Sequence, residues 1–355
     1  MTLKKWVRVL VGHGRKGRNL DAAEAFQAFD RILSGAESEI VVTAFLMSLR
    51  WKGVTVEELI GFARAARSRA VMPCAGMTGL VTVSPPQDGV DHVPPLEVAA
   101  GLIAAGAGAR VLIVSDRCVP PKRGLTAACA LEGLGLQMTW DSAEAESWVA
   151  KTGFAAVSLA GILPEMTMLR KVREQVGVRT PLATVEKLVS PSQGAVVVGA
   201  MGGPVLGMAV ETLQALGHPR AIAVQGLEGG VIPSLRKRTR GVEYTDGHIA
   251  PLSIEPSDFG LSLDTDPDMP LFMPTEDDRG TGDNVELVRA VGEITRAVIH
   301  GERGPARNAT LLGAALILKA SGLSLTLAEG VDAANRSLDS GAAVEVARKL
   351  AELTR

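Results

Sequence analysis

Residues 96–116 of the chain read LEVAAGLIAAGAGARVLIVSD. The first half, up to Gly106, is rich in alanine and leucine and predicts a buried helix. The second half, Ala109–Asp116, is a run of branched apolar residues that ends in two polar ones. Such a run is typical of a strand buried on both faces of a parallel sheet. The segment therefore predicts one helix–strand step of an α/β fold.

The same alternation continues toward the C-terminus. Apolar runs typical of strands lie at 153–161, 195–200 and 220–226, and helical patterns separate them. Strands that alternate with helices of this length indicate βαβ units and a mostly parallel central sheet flanked by helices. Residues 231–260 are more polar and predict antiparallel strands joined by the Asp246-Gly247 turn. An acidic, proline-rich connection follows at 261–284, and the remainder is helical.

The pattern of residues 21–69 predicts three helices joined by short turns. Asp21 with Glu24, and Thr55 with Glu58, have the spacing of N-terminal capping boxes. We therefore expect a small helical N-terminal domain at 1–70, with a contribution from about 164–188, and a large α/β domain at 71–355. The helical domain is rich in large apolar side chains, part of which suits a two-fold homodimer interface: Phe26, Phe29, Phe45, Leu46, Leu49, Trp51 and Phe62.

Composition excludes several classes of protein. The 355 residues carry 37 Lys+Arg against 39 Asp+Glu and are 46% hydrophobic, so the chain is neither disordered nor polybasic. Its three cysteines form no C-x-x-C pair, which favours reduced thiols. Prolines interrupt the longest uncharged stretch, between Lys187 and Glu211, so no membrane span is expected. These observations predict a cytoplasmic protein that does not bind a membrane.

Four long segments resemble one known family, the anthranilate phosphoribosyltransferase / pyrimidine nucleoside phosphorylase superfamily. They are ILSGAESEIVVTAFLMSLRWKGVTVEELIGFARAAR at 32–67, VREQVGVRTPLATVEKLVSPS at 172–192, YTDGHIAPLSIEPSDFGL at 244–261 and GERGPARNATLLGAALILKASGLSLTLAEGVDAANRSLDSGAA at 301–343. The resemblance implies the phosphoribosyltransferase catalytic-domain fold and a homodimer formed through the N-terminal helices.

The resemblance also implies where the family's site residues fall, and the motifs depart from the family pattern. For the glycine-rich loop after the first strand, which cradles the diphosphate of phosphoribosyl pyrophosphate, the matching stretch is Cys74–Gly79. The stretch Ser115–Arg123 lies at the position of the family's K-H-G-N-R motif. Glu228 is the one carboxylate near the position of the family's Mg²⁺-binding pair. The candidate residues from these motifs are Gly76, Thr78, Gly79, Asp116, Arg117, Lys122, Arg123 and Glu228.

Arg173 matches the arginine that approaches the anthranilate carboxylate in the transferases, a task that suits a bidentate guanidinium. It can equally be one charge on an amphipathic helix. GLEGGVIPSLRKRTR at 226–240 is similar to a paralogous branch that lacks the transferase activity, some of whose members bind nucleic acid in a basic groove. Its cations are Arg236, Lys237, Arg238 and Arg240, and Lys4, Lys5, Arg8, Arg15, Lys16 and Arg18 could extend them.

Two functions stay open at this point. In the first, the protein is not a competent anthranilate phosphoribosyltransferase and binds a nucleic acid or nucleotide in a basic cleft at the carboxyl ends of the strands. In the second, it transfers a phosphoribosyl group from phosphoribosyl pyrophosphate to an altered acceptor. Mg²⁺, held by Asp116 or Glu228, is expected only if a diphosphate is bound. The alternative for the cation runs is a solvated surface, and a scaffold without a ligand is the residual hypothesis.

Overall fold

A computed structural model describes residues 2–12 and 17–354. Its N-terminal part is a helical domain, as expected, with one further helix that the sequence pattern did not indicate. The four helices are α1 (Lys4–Val11), α2 (Ala22–Leu33), α3 (Glu39–Lys52) and α4 (Val56–Arg69). Both predicted capping boxes are present, at Asp21 and at Thr55. They fix where α2 and α4 begin, because each box satisfies amide groups that the first helical turn leaves free.

Three phenylalanine rings form the centre of the helical domain. Phe62 lies 5.3 Å from Phe29 and 6.1 Å from Phe45, measured between ring centroids, and all three are buried. Leu46 and Leu49 are buried with them. These residues therefore stabilise the domain itself, and only part of the predicted apolar set remains for a partner.

The large domain contains a seven-stranded sheet in the order β3-β2-β1-β4-β5-β6-β7. The first five strands pair in parallel and the last two pair antiparallel, so the predicted α/β architecture is confirmed. The turn at Asp246-Gly247 joins the last two strands, as expected. The strands are β1 (Leu80–Ser84), β2 (Arg110–Val114), β3 (Phe154–Val157), β4 (Ala195–Gly199), β5 (Arg220–Val224), β6 (Thr239–Thr245) and β7 (His248–Ile254).

Helices cover both faces of this sheet. The central helix α5 (Glu97–Gly106) packs against β2 and β3 so closely that a Cβ at Gly101 would lie 2.7 Å from the Phe154 ring of β3 and 3.3 Å from Val111 of β2. The helices between strands are α6 (Ala127–Leu134), α7 (Ser142–Thr152), α8 (Leu159–Ile162), α9 (Glu165–Val176), α10 (Leu182–Val185) and α11 (Val205–Ala215). Those that close the chain are α12 (Val285–Ile299), α13 (Pro305–Ser321), α14 (Leu327–Asp339) and α15 (Ala342–Leu353).

The acidic connection forms an irregular segment, residues 264–283, which we call the strap. It runs along the carboxyl edge of the sheet, the edge where β1–β5 end. Asp266 accepts hydrogen bonds from the Ser234 hydroxyl and the Leu235 amide, at 2.9 and 2.6 Å. The Met269 amide donates to the His92 carbonyl at 2.8 Å, and the Thr281 hydroxyl donates to Asp91 at the same distance. The strap therefore ties together the loops that follow β1 and β5.

Within residues 2–12 and 17–354, no helix combines the length and apolar character needed to cross a bilayer. Cys74, Cys118 and Cys129 are free thiols. Burial raises the pKa of the Cys74 and Cys118 thiols to about 12, so neither is present as a thiolate near neutral pH.

The buried carboxyl group of Glu97, in the first turn of α5, makes the stability of this fold depend on pH. Burial raises its pKa from 4.5 to about 7. A raised folded-state pKa means that the carboxyl's contribution to stability is full below pH 4.5 and is lost as the pH rises through 7. We expect Glu97→Gln to match the parent near about pH 4 and to be more stable by about 3 kcal/mol near about pH 8. Urea denaturation measures the free energy of unfolding at each of the two pH values.

The exposed Glu286, on α12, provides the matched control. Glu286→Gln should change the free energy of unfolding little at either pH, because its solvated ion pair with Arg289 contributes little to stability. A Glu97→Gln effect that is the same at both pH values would contradict the assignment.

Candidate functional site

Loops from several strands meet at the carboxyl edge of the sheet. This edge is the usual ligand position in an open α/β sheet, because the strand ends direct several loops toward one crevice. The residues named from the sequence divide into three groups: those at the opposite edge, those engaged by other protein groups, and those exposed to solvent.

Gly76, Thr78 and Gly79 lie at the wrong edge. The sequence interpretation placed them after the first strand, but β1 begins only at Leu80. Arg110, the first residue of β2, donates a 2.8 Å hydrogen bond to the Thr78 carbonyl, which places this turn at the amino edge. Val71 and Met72, which precede this stretch, lie outside any strand. The loop that does follow β1 is Pro85–Pro95.

Arg117, Lys122 and Arg123 lie at the carboxyl edge, as expected, but each pairs with a carboxylate. Arg117 pairs with Glu132, Arg123 with Glu174 at 2.8 Å, and Lys122 with Glu228 at 2.6 Å. The loop after β2 therefore does not present a free cluster of cations, and the role of the three residues in binding a ligand stays a prediction. Their neutralisation could not be read from the sequence, because all the partners are distant in the chain.

Asp116 is a structural carboxylate. It is buried and accepts hydrogen bonds from the Ser158 hydroxyl, the Ala160 amide and the Arg170 guanidinium. Burial raises its pKa, although Arg170 and these hydrogen bonds oppose that rise. Every one of these contacts fixes the short helix α8 and α9 against the end of β2. Asp116 thus stabilises the fold at this edge.

Arg173 is enclosed rather than presented to a ligand. Its side chain is 1% exposed, and its Nη1 donates to both carboxylate oxygens of Glu186, at 2.6 Å each. Burial raises the pKa of Glu186 while the Arg173 charge opposes the rise. The expected role of Arg173 in binding a substrate carboxylate does not fit this arrangement, because a carboxylate of the chain itself already faces the guanidinium.

Glu228 reaches across the edge from the turn after β5 to the loop after β1. Its Oε1 accepts from the amides of His92 and Val93, at 2.6 and 3.1 Å, and its Oε2 accepts from the Asp91 amide at 3.0 Å. The Lys122 ammonium is a further donor to the same carboxylate. Burial alone would raise the pKa of Glu228, but the hydrogen bonds from Lys122, His92 and Asp91 outweigh it and hold the pKa below its ordinary value.

Neither carboxylate considered for Mg²⁺ fits a metal ligand in this arrangement. Asp116 and Glu228 both accept hydrogen bonds from N–H groups and each pairs with a cationic side chain. A divalent cation needs free carboxylate oxygens and would meet the charges of Arg170 and Lys122. Among the residues that the structure describes, no group of three or more His, Cys, Asp or Glu could hold a metal ion.

The cations of the 226–240 segment lie at residues 236–240, which lead from the loop after β5 into the start of β6 and which we call the basic loop. Arg236, Lys237, Arg238 and Arg240 are all exposed, and Arg238 lies 3.3 Å from Glu255. Thr239 is buried and accepts from the Ser234 amide at 3.0 Å, and Asp266 of the strap fixes the other side of the loop. The loop is therefore held in place while its charges face solvent.

A cavity of about 440 Å³ lies between the basic loop and the Glu228 turn. Lys237, Arg238 and Arg240 line it together with Glu228 and Asp266. Arg240 comes directly before the residues of β6 that pair with the end of β5, so these cations lie at the carboxyl edge, as predicted. Of the N-terminal cations, Lys4, Lys5 and Arg8 lie on α1 of the helical domain, Arg18 pairs with Glu24, and Arg15 and Lys16 are outside the described residues.

A second cavity, of about 290 Å³, lies between α3, α10 and the loop after β1. Arg50, Arg179 and Lys187 line it. Arg179 pairs with Asp88 at 2.6 Å, and Lys187 donates to the Gly199 carbonyl at the same distance. Burial, and then the Arg179 charge, lower the pKa of Lys187 to about 8.

Sequence reasoning missed Asp88 and Arg179. The sequence signal for Asp88 is the Asp88-Gly89 pair, which is typical of a turn. In the structure Gly89 has a φ of +79°.

Comparisons with known proteins agree on one family. Family models match two parts of the chain: residues 10–70 resemble a glycosyl transferase family helical bundle domain, and residues 91–344 a glycosyl transferase family a/b domain. The anthranilate phosphoribosyltransferase of Symbiobacterium thermophilum is 30% identical over 349 residues, which cover 98% of both chains.

Solved structures show the same fold. The crystal structure of anthranilate phosphoribosyltransferase from Thermus thermophilus superposes with a TM-score of 0.80 at 25% identity, covering 99% of both chains. The Saccharomyces cerevisiae enzyme in complex with PRPP and Mg has a TM-score of 0.77 at 17% identity, covering 99% of this chain and 97% of that one.

Proposed function

The chain belongs to the anthranilate phosphoribosyltransferase-like glycosyl transferase family, and on that premise we propose that it binds a phosphate-bearing ligand, a nucleic acid or nucleotide, at the carboxyl edge of its sheet. The exposed basic loop carries this proposal. Four cations lie within five residues, and three of them, Lys237, Arg238 and Arg240, line the cavity of about 440 Å³. Exposed arginines and lysines attract a polyanion because binding releases the counterions of its phosphates.

We also propose that the protein is not a competent anthranilate phosphoribosyltransferase. Three groups that would serve the reaction are engaged inside the chain: Arg173 with Glu186, Asp116 with Arg170, and Glu228 with Lys122. Freeing any of them would leave an opposite charge unpaired in a largely buried place, which is costly. The arrangement therefore favours binding over transfer.

The helical domain offers the surface for a homodimer. Ile40, Met47 and Trp51 are exposed on α3 at spacings of seven and four residues, and Met168 of α9 is exposed on the helix that packs beside it. Residues at this spacing share one helix face. We propose that a second copy covers this face, so that each dimer carries two basic loops.

A second candidate function is phosphoribosyl transfer to an altered acceptor. The relatives named above are anthranilate phosphoribosyltransferases, and the cavity lined by Arg50, Arg179 and Lys187 could hold an anionic acceptor. In this function Mg²⁺ would accompany a bound diphosphate.

Thermal unfolding in the presence of competing ligands separates the two functions. We expect short duplex DNA or RNA at low ionic strength to raise the melting temperature by a few degrees, because a ligand that binds only the folded state stabilises it by mass action. Phosphoribosyl pyrophosphate with Mg²⁺ should produce no comparable rise. Stabilisation by phosphoribosyl pyrophosphate and Mg²⁺ alone would favour transfer and exclude the nucleic-acid proposal.

A further inference from the structure

The amine of Lys187 lies in the wall of the second cavity, the one between α3, α10 and the loop after β1. Lys187 belongs to the 3₁₀ turn Glu186–Leu188, which follows α10 directly, and its Nζ donates to the Gly199 carbonyl at the end of β4 at 2.6 Å. A neutral amine can donate this hydrogen bond as well as an ammonium can. The contact therefore holds the nitrogen at the cavity wall in both protonation states.

The surroundings of this amine favour its neutral form. Burial, and next the charge of Arg179, lower its pKa to about 8. The carboxylates of Asp88 and Glu186 oppose that change, but Asp88 pairs with Arg179 and Glu186 pairs with Arg173, at 2.6 Å in both cases. Desolvation beside another cationic group is one of the ways in which a protein turns a lysine into a nucleophile.

The rest of the cavity wall selects the chemistry of a molecule that can reach the amine. Arg50 of α3 and Arg179 bring two guanidinium groups to the cavity, and a guanidinium suits a carboxylate because it can donate two parallel hydrogen bonds. Val54, Met201 and Val205 add apolar surface. A cavity of about 290 Å³ suits a small molecule rather than a polymer.

We propose that Lys187 is a nucleophile that forms an imine with a small aldehyde or 2-oxo acid, whose carboxylate contacts Arg50 and Arg179. The Nζ lone pair attacks the carbonyl carbon, and the π electrons of the C=O bond move to the oxygen. The two hydrogens of the neutral amine pass to that oxygen, which leaves as water when the C=N bond forms. The step needs no oxidant or reductant, and it is independent of the basic loop and of nucleic-acid binding.

Borohydride trapping with glyoxylate as the probe tests the proposal. Reduction converts the imine into a stable secondary amine, so peptide mapping by mass spectrometry shows which lysine carries the added carboxymethyl group. Near neutral pH we expect Lys187 to be labelled at least about tenfold faster than the exposed Lys151, because a lowered pKa leaves more of the amine neutral. The rate at Lys187 should rise with pH and level off above about 8, where the amine is mostly deprotonated.

Three variants separate the amine from the arginines. Lys187→Arg keeps the positive charge and should lose the fast label, whereas Lys151→Arg is the matched control and should be labelled like the parent. Arg50→Met should slow labelling by glyoxylate about tenfold, because one partner of the carboxylate is gone. It should leave labelling by propanal, which has no carboxylate, unchanged.

The proposal is overturned if glyoxylate labels Lys187 no faster than Lys151 in the parent protein, a result that needs no variant to fold. Fast labelling that persists in Lys187→Arg would place the nucleophile elsewhere and would also overturn it. If Arg50→Met slows glyoxylate and propanal equally, the contact between Arg50 and the carboxylate is refuted.

Discussion

Reversing two charges of the basic loop should reduce nucleic-acid binding by about a hundredfold or more. In Arg236→Glu with Arg238→Glu, two cations that attract phosphates become two anions that repel them. In the proposed dimer, which carries two basic loops, the variant changes four charges instead of two. The salt dependence of the affinity should also weaken, by about one in the log–log slope for each lost phosphate contact. Fluorescence anisotropy with a labelled short duplex, across a salt series, measures both quantities.

The control for this variant is Lys151→Glu with Lys349→Glu. Both lysines are exposed, and they lie on α7 and α15, away from the basic loop, so the net charge changes by the same amount at another place. This control should bind the duplex nearly as the parent does. Equal losses in the two variants would show that binding follows the overall charge of the protein rather than the basic loop.

Placing charges on the exposed face of α3 should convert the proposed dimer into a monomer. Ile40 and Trp51 are 82% and 94% exposed, so they have no role in the core of their own chain. Large aromatic and aliphatic side chains at the centre of an interface each contribute about 2 kcal/mol or more to association. Light scattering should therefore give twice 37.1 kDa for the parent and 37.1 kDa for Ile40→Glu with Trp51→Glu.

Leu325→Glu is the matched control for the dimer. Leu325 is 80% exposed but lies just before α14, in the other domain, so its substitution should leave the mass unchanged. A parent protein that is already a monomer at micromolar concentration would refute the interface. Dimers in both variants would place the contact on another surface.

The sequence predicted the elements of this fold well because local rules determine most of them. The capping boxes at Asp21 and Thr55 start two helices, the branched run at 111–114 forms a buried parallel strand, and the Asp246-Gly247 pair turns a hairpin. Each of these depends on neighbouring residues alone. The first strand was the exception, since two apolar residues at 71–72 and the five residues at 80–84 compete for the assignment, and only pairing with β2 and β4 decides between them.

The candidate site was less predictable because its properties come from pairs of distant residues. Arg173 looks like a ligand-binding arginine until Glu186 is seen to face it, and Lys122 looks free until Glu228 is seen to reach it across more than a hundred residues. Motif spacing identifies residue types at an edge, but it does not show which charges cancel. The position of the basic loop could be predicted because its cations are adjacent in the chain, whereas its role in binding stays a prediction.

The strap anchors the basic loop and the loop after β1 only three residues apart, at Asp266 and Met269. One hydrogen-bonding side chain fixes the base of the first, and one backbone amide fixes the second. An insertion or deletion between the two anchors would shift one binding loop against the other, whereas most side-chain substitutions there would not. The length of this segment therefore matters more than its composition, and the two loops behave mechanically as one unit.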